Sequence, residues 1–231
     1  MRYSMLALAA ALFCGSALAD DTGLRVTVGA VNVNPNAGSG HLGNVEAAAG
    51  LPAGSTELDV SSNTQLGLIF TYDMDPNWSV ELLAATPFSH DITLKAGGTP
   101  VDGMKVGKTK QLPPTLSLQY RFMEGQDVRP YLGLGINHTI FFQEKVDGEL
   151  ASTLDSLGLT GDKELKLSSS TGLAAQAGFD WKINEKTYLK AAIWYADIDT
   201  DAKVKVDGQT VQKVKVNVDP VVAFIGVGYR F

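Results

Sequence analysis

The sequence predicts an all-β protein: an eight-stranded antiparallel transmembrane β-barrel with four long outer loops and three short periplasmic turns. Three observations predict it. Apolar residues alternate with small, polar or charged ones along about eight segments, the period of a strand with one face in an apolar medium. Short and long connections alternate between these segments, as they do in outer-membrane barrels. The chain ends on Phe231, with Tyr229, Val227, Ile225 and Ala223 behind it at every second position.

Residues 1–19 read as a cleaved signal peptide and residues 20–231 as a single barrel domain. Arg2 supplies a positive start, Met5 to Phe13 an apolar run and Ala17-Leu18-Ala19 a small-residue cleavage site. The run is too short to cross about 30 Å of hydrocarbon as a helix. Cys14, the one cysteine, lies in this leader, and Phe13 before it is not the small residue that a lipidation site wants. The rest of the chain therefore has no cysteine for a disulfide, a zinc–thiolate site or thiol catalysis. A net charge of −6 provides no basic footprint, so no nucleic-acid partner is expected.

The eight segments run 23–34, 60–73, 78–94, 111–123, 129–145, 168–182, 187–201 and 214–231. In the first, Leu24, Val26, Val28 and Ala30 share the apolar face; in the second, Leu66, Leu68, Phe70 and Tyr72. The third contributes Val80, Leu82, Ala84, Thr86 and Phe88, and the fourth Leu116, Leu118, Tyr120 and Phe122. The fifth adds Leu132, Leu134, Ile136, His138 and Ile140, and the sixth Leu173, Ala175, Ala177, Phe179 and Trp181. Leu189, Ala191, Ile193 and Tyr195 follow in the seventh, then Val221 to Phe231 at alternate positions in the eighth. None of these positions holds Asp, Glu, Lys or Arg.

Short turns at Asp73–Asn77, Glu124–Val128 and Asn184–Lys186 alternate with long connections near 35–59, 95–110, 146–167 and 202–213. A soluble barrel explains the alternation but gives no reason for the unequal rims. Nor does it explain aromatics such as Tyr72, Tyr120, Trp181 and Tyr229 near the ends of the apolar face, where a membrane interface wants them. Both termini fall on the periplasmic side. The expected surroundings are outer-membrane lipids of a Gram-negative bacterium. Tyr229 and Phe231 resemble the terminal signal that such barrels present to the barrel-assembly machinery.

Several stretches resemble the OmpW family of small outer-membrane barrels: Thr64–Tyr72 (TQLGLIFTY), Val80–Phe88 (VELLAATPF), Leu112–Leu116 (LPPTL), Arg129–Asn137 (RPYLGLGIN), Trp194–Thr200 (WYADIDT) and Gly228–Phe231 (GYRF). They occur in order and touch nearly every strand; the departures fall in the long loops. The resemblance implies a barrel that helps small hydrophobic molecules cross the outer membrane. It also implies that Leu83 and Trp194 close the hydrophobic channel toward the periplasm.

The interior can be read from parity alone. Arg25, Glu81, Arg121, Asp180, Lys190 and Arg230 lie on the inward face near the periplasmic end and predict a closed ionic floor, because buried charge must be paired. Above it Ile69, Leu83, Ala85, Pro87, Ala192, Trp194, Val222 and Phe224 point inward and predict an apolar lumen. Pro87 and the pair Pro113-Pro114 lack N–H donors and lie toward the outer half of neighbouring strands, which predicts either a lateral opening in the ladder or the place where the sheet ends above the membrane. The alternative is a structural or surface-interaction barrel, whose loops bind partners and whose lumen is only packed core.

No catalysis, cofactor or metal is expected. His41 stands in a long loop, Ser89 and His90 point to opposite faces of a strand, and His138 has lipid-facing parity. Asp197 and Asp199 share a face at the outer end of the seventh segment, where solvation or loop amides account for them better than a cation does.

Overall fold

The computed structural model describes residues 23–231, with backbone only at 48 and 49. The expected leader, residues 1–19 with Cys14, lies outside the described residues. The elements are β1 (Leu24–Asn34), β2 (Gly38–Ser39), α1 (Gly43–Ala49), β3 (Glu57–Val60), β4 (Asn63–Asp73), β5 (Trp78–Ala85), β6 (Phe88–Lys95), β7 (Lys105–Leu112), β8 (Thr115–Arg121) and β9 (Val128–Val146). They continue with α2 (Gly148–Ser156), β10 (Lys163–Leu167), β11 (Ser170–Lys182), β12 (Thr187–Ala196), β13 (Asp199–Val206), β14 (Gln209–Asn217) and β15 (Val221–Arg230).

Eight antiparallel strands close the barrel in the order β1-β4-β5-β8-β9-β11-β12-β15, with β15 paired back to β1. The parity rule holds along most of it. Leu66, Leu134, Leu173, Ile193 and Ile225 are exposed on the outer surface, whereas Ile69, Tyr131, Gln176 and Lys190 are buried inside. The Phe231 amide donates to the Leu24 carbonyl, so the described chain begins and ends at one rim.

The long connections are not open loops. They fold into a cap built on two extensions of the barrel wall. One consists of β3, β6, β7 and the outer part of β9; the other is the sheet β10-β13-β14-β2. Leu58, Leu94, Leu150, Leu154, Leu165, Ile198 and Val214 form its own apolar core. In α2, Leu150 and Leu154 are four residues apart and so share the buried face, and Asp147 caps the start by accepting from the Glu149 amide at 3.1 Å. The connection expected as a loop at 202–213 is a hairpin, Val206 opposite Gln209, turning on Asp207-Gly208. Both turn residues have positive φ, 49° and 79°, the backbone that an Asp-Gly pair suits in a two-residue turn.

Four of the expected segments are interrupted toward their outer ends. The third breaks at Thr86-Pro87, the fourth at Pro113-Pro114, the seventh at Asp197-Ile198 and the eighth across Val218–Pro220. The first break corrects two assignments. Inward residues are odd-numbered in β5 but even-numbered in β6, so Phe88 is buried in the lumen rather than lipid-facing, and Pro87 is exposed rather than inward. Proline interrupts the ladder there, and the one-residue slip exchanges the faces of everything above it.

Candidate functional site

At the periplasmic end the first inward layer is ionic. Arg25 comes from the start of β1, Asp73 from the end of β4, Glu81 from β5, Arg121 from the end of β8, Asp180 from β11 and Lys190 from β12. Arg25 Nη1 reaches Asp180 Oδ2 at 2.6 Å, and its Nη2 lies 3.0 Å from Asp73 Oδ1. Arg121 also pairs with Asp73, while Lys190 Nζ spans Glu81 Oε2 at 2.8 Å and Asp180 Oδ1 at 3.3 Å. Three cations therefore meet three carboxylates, and the layer has no surplus charge.

Aromatic rings complete it. Lys190 Nζ lies 4.3 Å from the Tyr131 ring centre and the Arg25 guanidinium 5.2 Å from that of Tyr188, whose hydroxyl hydrogen-bonds Thr27. Five of the six expected charges are here. Arg230 is the correction: its side chain is 44% exposed at the rim and approaches only Asp73, at 3.7 Å. It is the last residue of β15, beyond the buried layer. Parity reasoning missed Asp73, which ends a strand and reads as a turn residue, and the two tyrosines, which carry no charge to flag them.

Above the floor, Val31, Val33, Ile69, Leu83, Phe88, Ala192, Trp194, Val222 and Phe224 form one buried cluster with Ala85 at its edge. The Trp194 and Phe224 rings meet edge to face at 6.4 Å. Leu83, Ala85, Trp194 and Val222 surround a narrow cavity of about 20 Å³, while Ile69 and Phe224 pack in the cluster without lining it. Pro113 lines the same cavity, as do Ile198 and Pro220. The cap holds two more apolar cavities, of about 50 and 60 Å³.

Gln111 stands between the lumen cavity and the cap, with His90 beside it on the cap side. Gln111 lines both the cavity of about 20 Å³ and the cap cavity of about 50 Å³, and its Nε2 donates to His90 Nε2 at 3.0 Å. The His90 Nδ1–H donates to the Ser61 carbonyl. Burial holds this imidazole below the usual histidine range, with the Ser61 carbonyl opposing the shift.

The barrel wall is discontinuous beside the lumen cavity. The β5–β8 ladder ends at Leu83 opposite Thr115, and pairing resumes only at Phe88 opposite Gln111. No ladder pair joins 84–87 to 112–114 among the described residues, the stretch that holds Pro87, Pro113 and Pro114. Each edge is held on its other side: the Thr86 amide donates to Leu66, and the His138 amide donates to Pro114. The expected acidic pair at the outer end gains a third member, Asp219, near Asp197 and Asp199. Asp199 is already paired with Lys215 at 2.6 Å, and Asp219 accepts from the Ile198 amide.

A closed eight-stranded barrel with an apolar outer belt, an ionic floor and a cap on its long-loop side is an outer-membrane β-barrel protein. The sequence model of the OmpW family matches residues 21–231, and the chain belongs to that family. It is 41% identical over 228 residues to outer membrane protein W of Vibrio cholerae, covering 98% of this chain and 97% of the relative. The crystal structure of outer membrane protein OprG from Pseudomonas aeruginosa superposes with a TM-score of 0.75 at 39% identity, covering 91% of this chain and 97% of that one. A more distant relative, 26% identical over 181 residues (78% of this chain, 77% of the relative), is the dibenzothiophene metabolism operon protein PahQ of Pseudomonas aeruginosa. This chain is therefore a protein of the Gram-negative outer membrane and sits in its bilayer. The matched family is not a catalytic one.

Proposed function

We propose that the barrel takes small hydrophobic molecules in through its outer end and releases them sideways into the bilayer. The observation that carries this reading is the gap in the ladder between β5–β6 and β7–β8, placed directly beside an apolar cavity. The paired ionic layer below leaves little reason for an apolar molecule to continue to the periplasm. Leaving toward lipid instead is favoured by about 0.8 kcal/mol for each CH₂ that stays out of water. In this scheme Leu83 and Trp194 floor the pocket, with Ile69, Ala85, Val222 and Phe224 as its packing. Pro87, Pro113 and Pro114 keep the seam unbonded, and Arg25, Glu81, Arg121, Asp180 and Lys190 close the axial path. The name of the PahQ relative ties it to the metabolism of an apolar aromatic compound, which accords with this class of passenger.

The test uses a cysteine pair. Residues 20–231 contain no cysteine, so Ala84→Cys with Pro114→Cys places an isolated pair across the seam. Oxidation is expected to reduce uptake of radiolabelled naphthalene to the level of cells without the protein, and reduction to restore it. Unchanged uptake with the crosslink verified by mass spectrometry would eliminate the lateral route.

A further inference from the structure

Trp194, which lines the apolar cavity, ends a row of buried polar groups that the protein leaves unpaired. Gln119 of β8, Gly133 of β9, Gln176 of β11 and Trp194 of β12 are successive register neighbours, one row across four adjacent strands. Gln119, Gln176 and Trp194 are only 0%, 5% and 3% exposed. Gln119 Nε2, both amide atoms of Gln176 and Trp194 Nε1 have no hydrogen-bond partner among the described residues. Buried polar atoms are nearly always paired, so four in one row mark a place where something else supplies the partner.

The row is built to leave those atoms available. Gln119 spends only its carbonyl end, which accepts from Ser79 Oγ at 3.2 Å. Gly133 has no side chain, and a Cβ there would fall 2.7 Å from Gln176 Nε2, so the glycine gives the amide room to lie across β9. In the apolar cluster that includes Trp194, Ile69, Leu83 and Phe224 present only carbon. Trp194 thus belongs to both the row and the cluster, and it also lines the cavity.

We propose that this row is a head-group site, so that an apolar molecule bearing one neutral hydroxyl is preferred as passenger over a plain hydrocarbon. The inference rests on the conduit reading and narrows its passenger. Gln176 Oε1 accepts the hydroxyl proton, and Trp194 Nε1–H donates to the hydroxyl oxygen. The apolar body lies against Leu83 and Val222. A charged head is disfavoured, because the floor below pairs its cations and carboxylates with each other and leaves no net charge to receive an ion.

The experiment is indole ¹⁵N–¹H NMR of the full barrel in lipid nanodiscs, titrated with 1-octanol and with n-octane, each corrected for partition into protein-free discs. Trp78 and Trp181 face the lipid and serve as internal references. Octanol is expected to bind about tenfold more tightly than octane, the worth of a paired buried group, and to shift the Trp194 N–H selectively. Gln176→Leu should bring the ratio toward one while octane affinity is retained; Trp194→Phe provides the same comparison through the other partner. Equal wild-type affinities with an unmoved Trp194 signal would overturn the head-group site and leave the conduit standing. A preference that survives both substitutions would overturn its assignment to this row. Binding of neither probe would overturn the conduit reading itself.

Discussion

Two junctions on opposite sides of the lumen cavity have the same ingredients and different outcomes. Where β5–β6 faces β7–β8, prolines interrupt both strands and the ladder stops. Where β12–β13 faces β14–β15, Pro220 also interrupts a strand, yet the wall is stitched. The Ala196 amide donates to the Pro220 carbonyl at 3.3 Å, the Val218 amide to Ile198 at 2.8 Å, and the Ile198 amide to Asp219 Oδ1 at 3.1 Å. Parity runs unbroken through the stitched junction, with Trp194, Ala196, Ile198 and Thr200 buried in turn. At the open one it slips by a residue. A proline by itself thus does not open a wall: its carbonyl still accepts, provided that the opposing strand stays in register with an N–H to offer.

An open seam must be tolerated by the rest of the barrel, and the floor is what holds its flanks. Lys190 ties Glu81 of β5 to β12, and Arg121 of β8 is tied to Asp73 of β4. The largest effect is therefore expected from Lys190→Met, which leaves Glu81 without its buried cation and Asp180 with Arg25 as its close partner. The loss should be about 3–5 kcal/mol, measured by urea unfolding in bilayers. Hydrogen exchange should rise first along β5 and β8, the strands at the open seam. Equal rises on β12 and β15 would mean that the floor supports both junctions alike.

Much of this was legible in the sequence, for a definite reason. A strand in a bilayer has one face in lipid, so alternation fixes both strand and face. That located Leu68, Ile193 and Ile225 outside and Arg25, Glu81, Asp180 and Lys190 inside. Parity fails where the period is interrupted, as it did for Phe88 and Pro87, and it says little at strand ends, where Arg230 and Asp73 exchanged roles. It also gives no account of the cap, which is assembled from short strands and helices with contacts far apart in sequence, such as Asn44 with Gln212. Gln119 and Gln176 did have inward parity, but being uncharged they did not stand out until their pairing was visible.

The stitched seam can be loosened directly. Asp219 combines a positive φ of 34° with a side chain that caps the Ile198 amide. Asp219→Asn keeps both the acceptor and a residue tolerant of that backbone, so it should be close to neutral. Asp219→Ala removes the acceptor and should cost about 1 kcal/mol, with loss of exchange protection confined to the Ile198 amide. If Asn and Ala behave alike, the side-chain bond is not what distinguishes this junction from the open one.

The smallest effect concerns the cap segment that spans the two sides. β2 pairs with β14 above the stitched junction, β3 pairs with β6 above the open one, and α1 lies between them. Glu46 of α1 fixes the chain on its way to β3: its carboxylate accepts from the Gly54 amide at 2.9 Å, the Thr56 amide at 3.0 Å and the Thr56 hydroxyl at 2.7 Å. These bonds, the Gly54 amide foremost, hold the carboxyl below the usual glutamate range. A carboxyl whose folded pKa is depressed stabilises the fold above its unfolded pKa, about 4.3, and loses that contribution as pH falls through the lower folded value. Hydrogen exchange at Gly54 and Thr56 is therefore expected to be unchanged from neutral pH to about 5 and to accelerate below about 4, after correction for intrinsic rates. Glu46→Gln should show the fast exchange already at neutral pH, with the barrel strands unaffected. Acceleration that is the same in wild type and Glu46→Gln would place the acid sensitivity elsewhere in the cap.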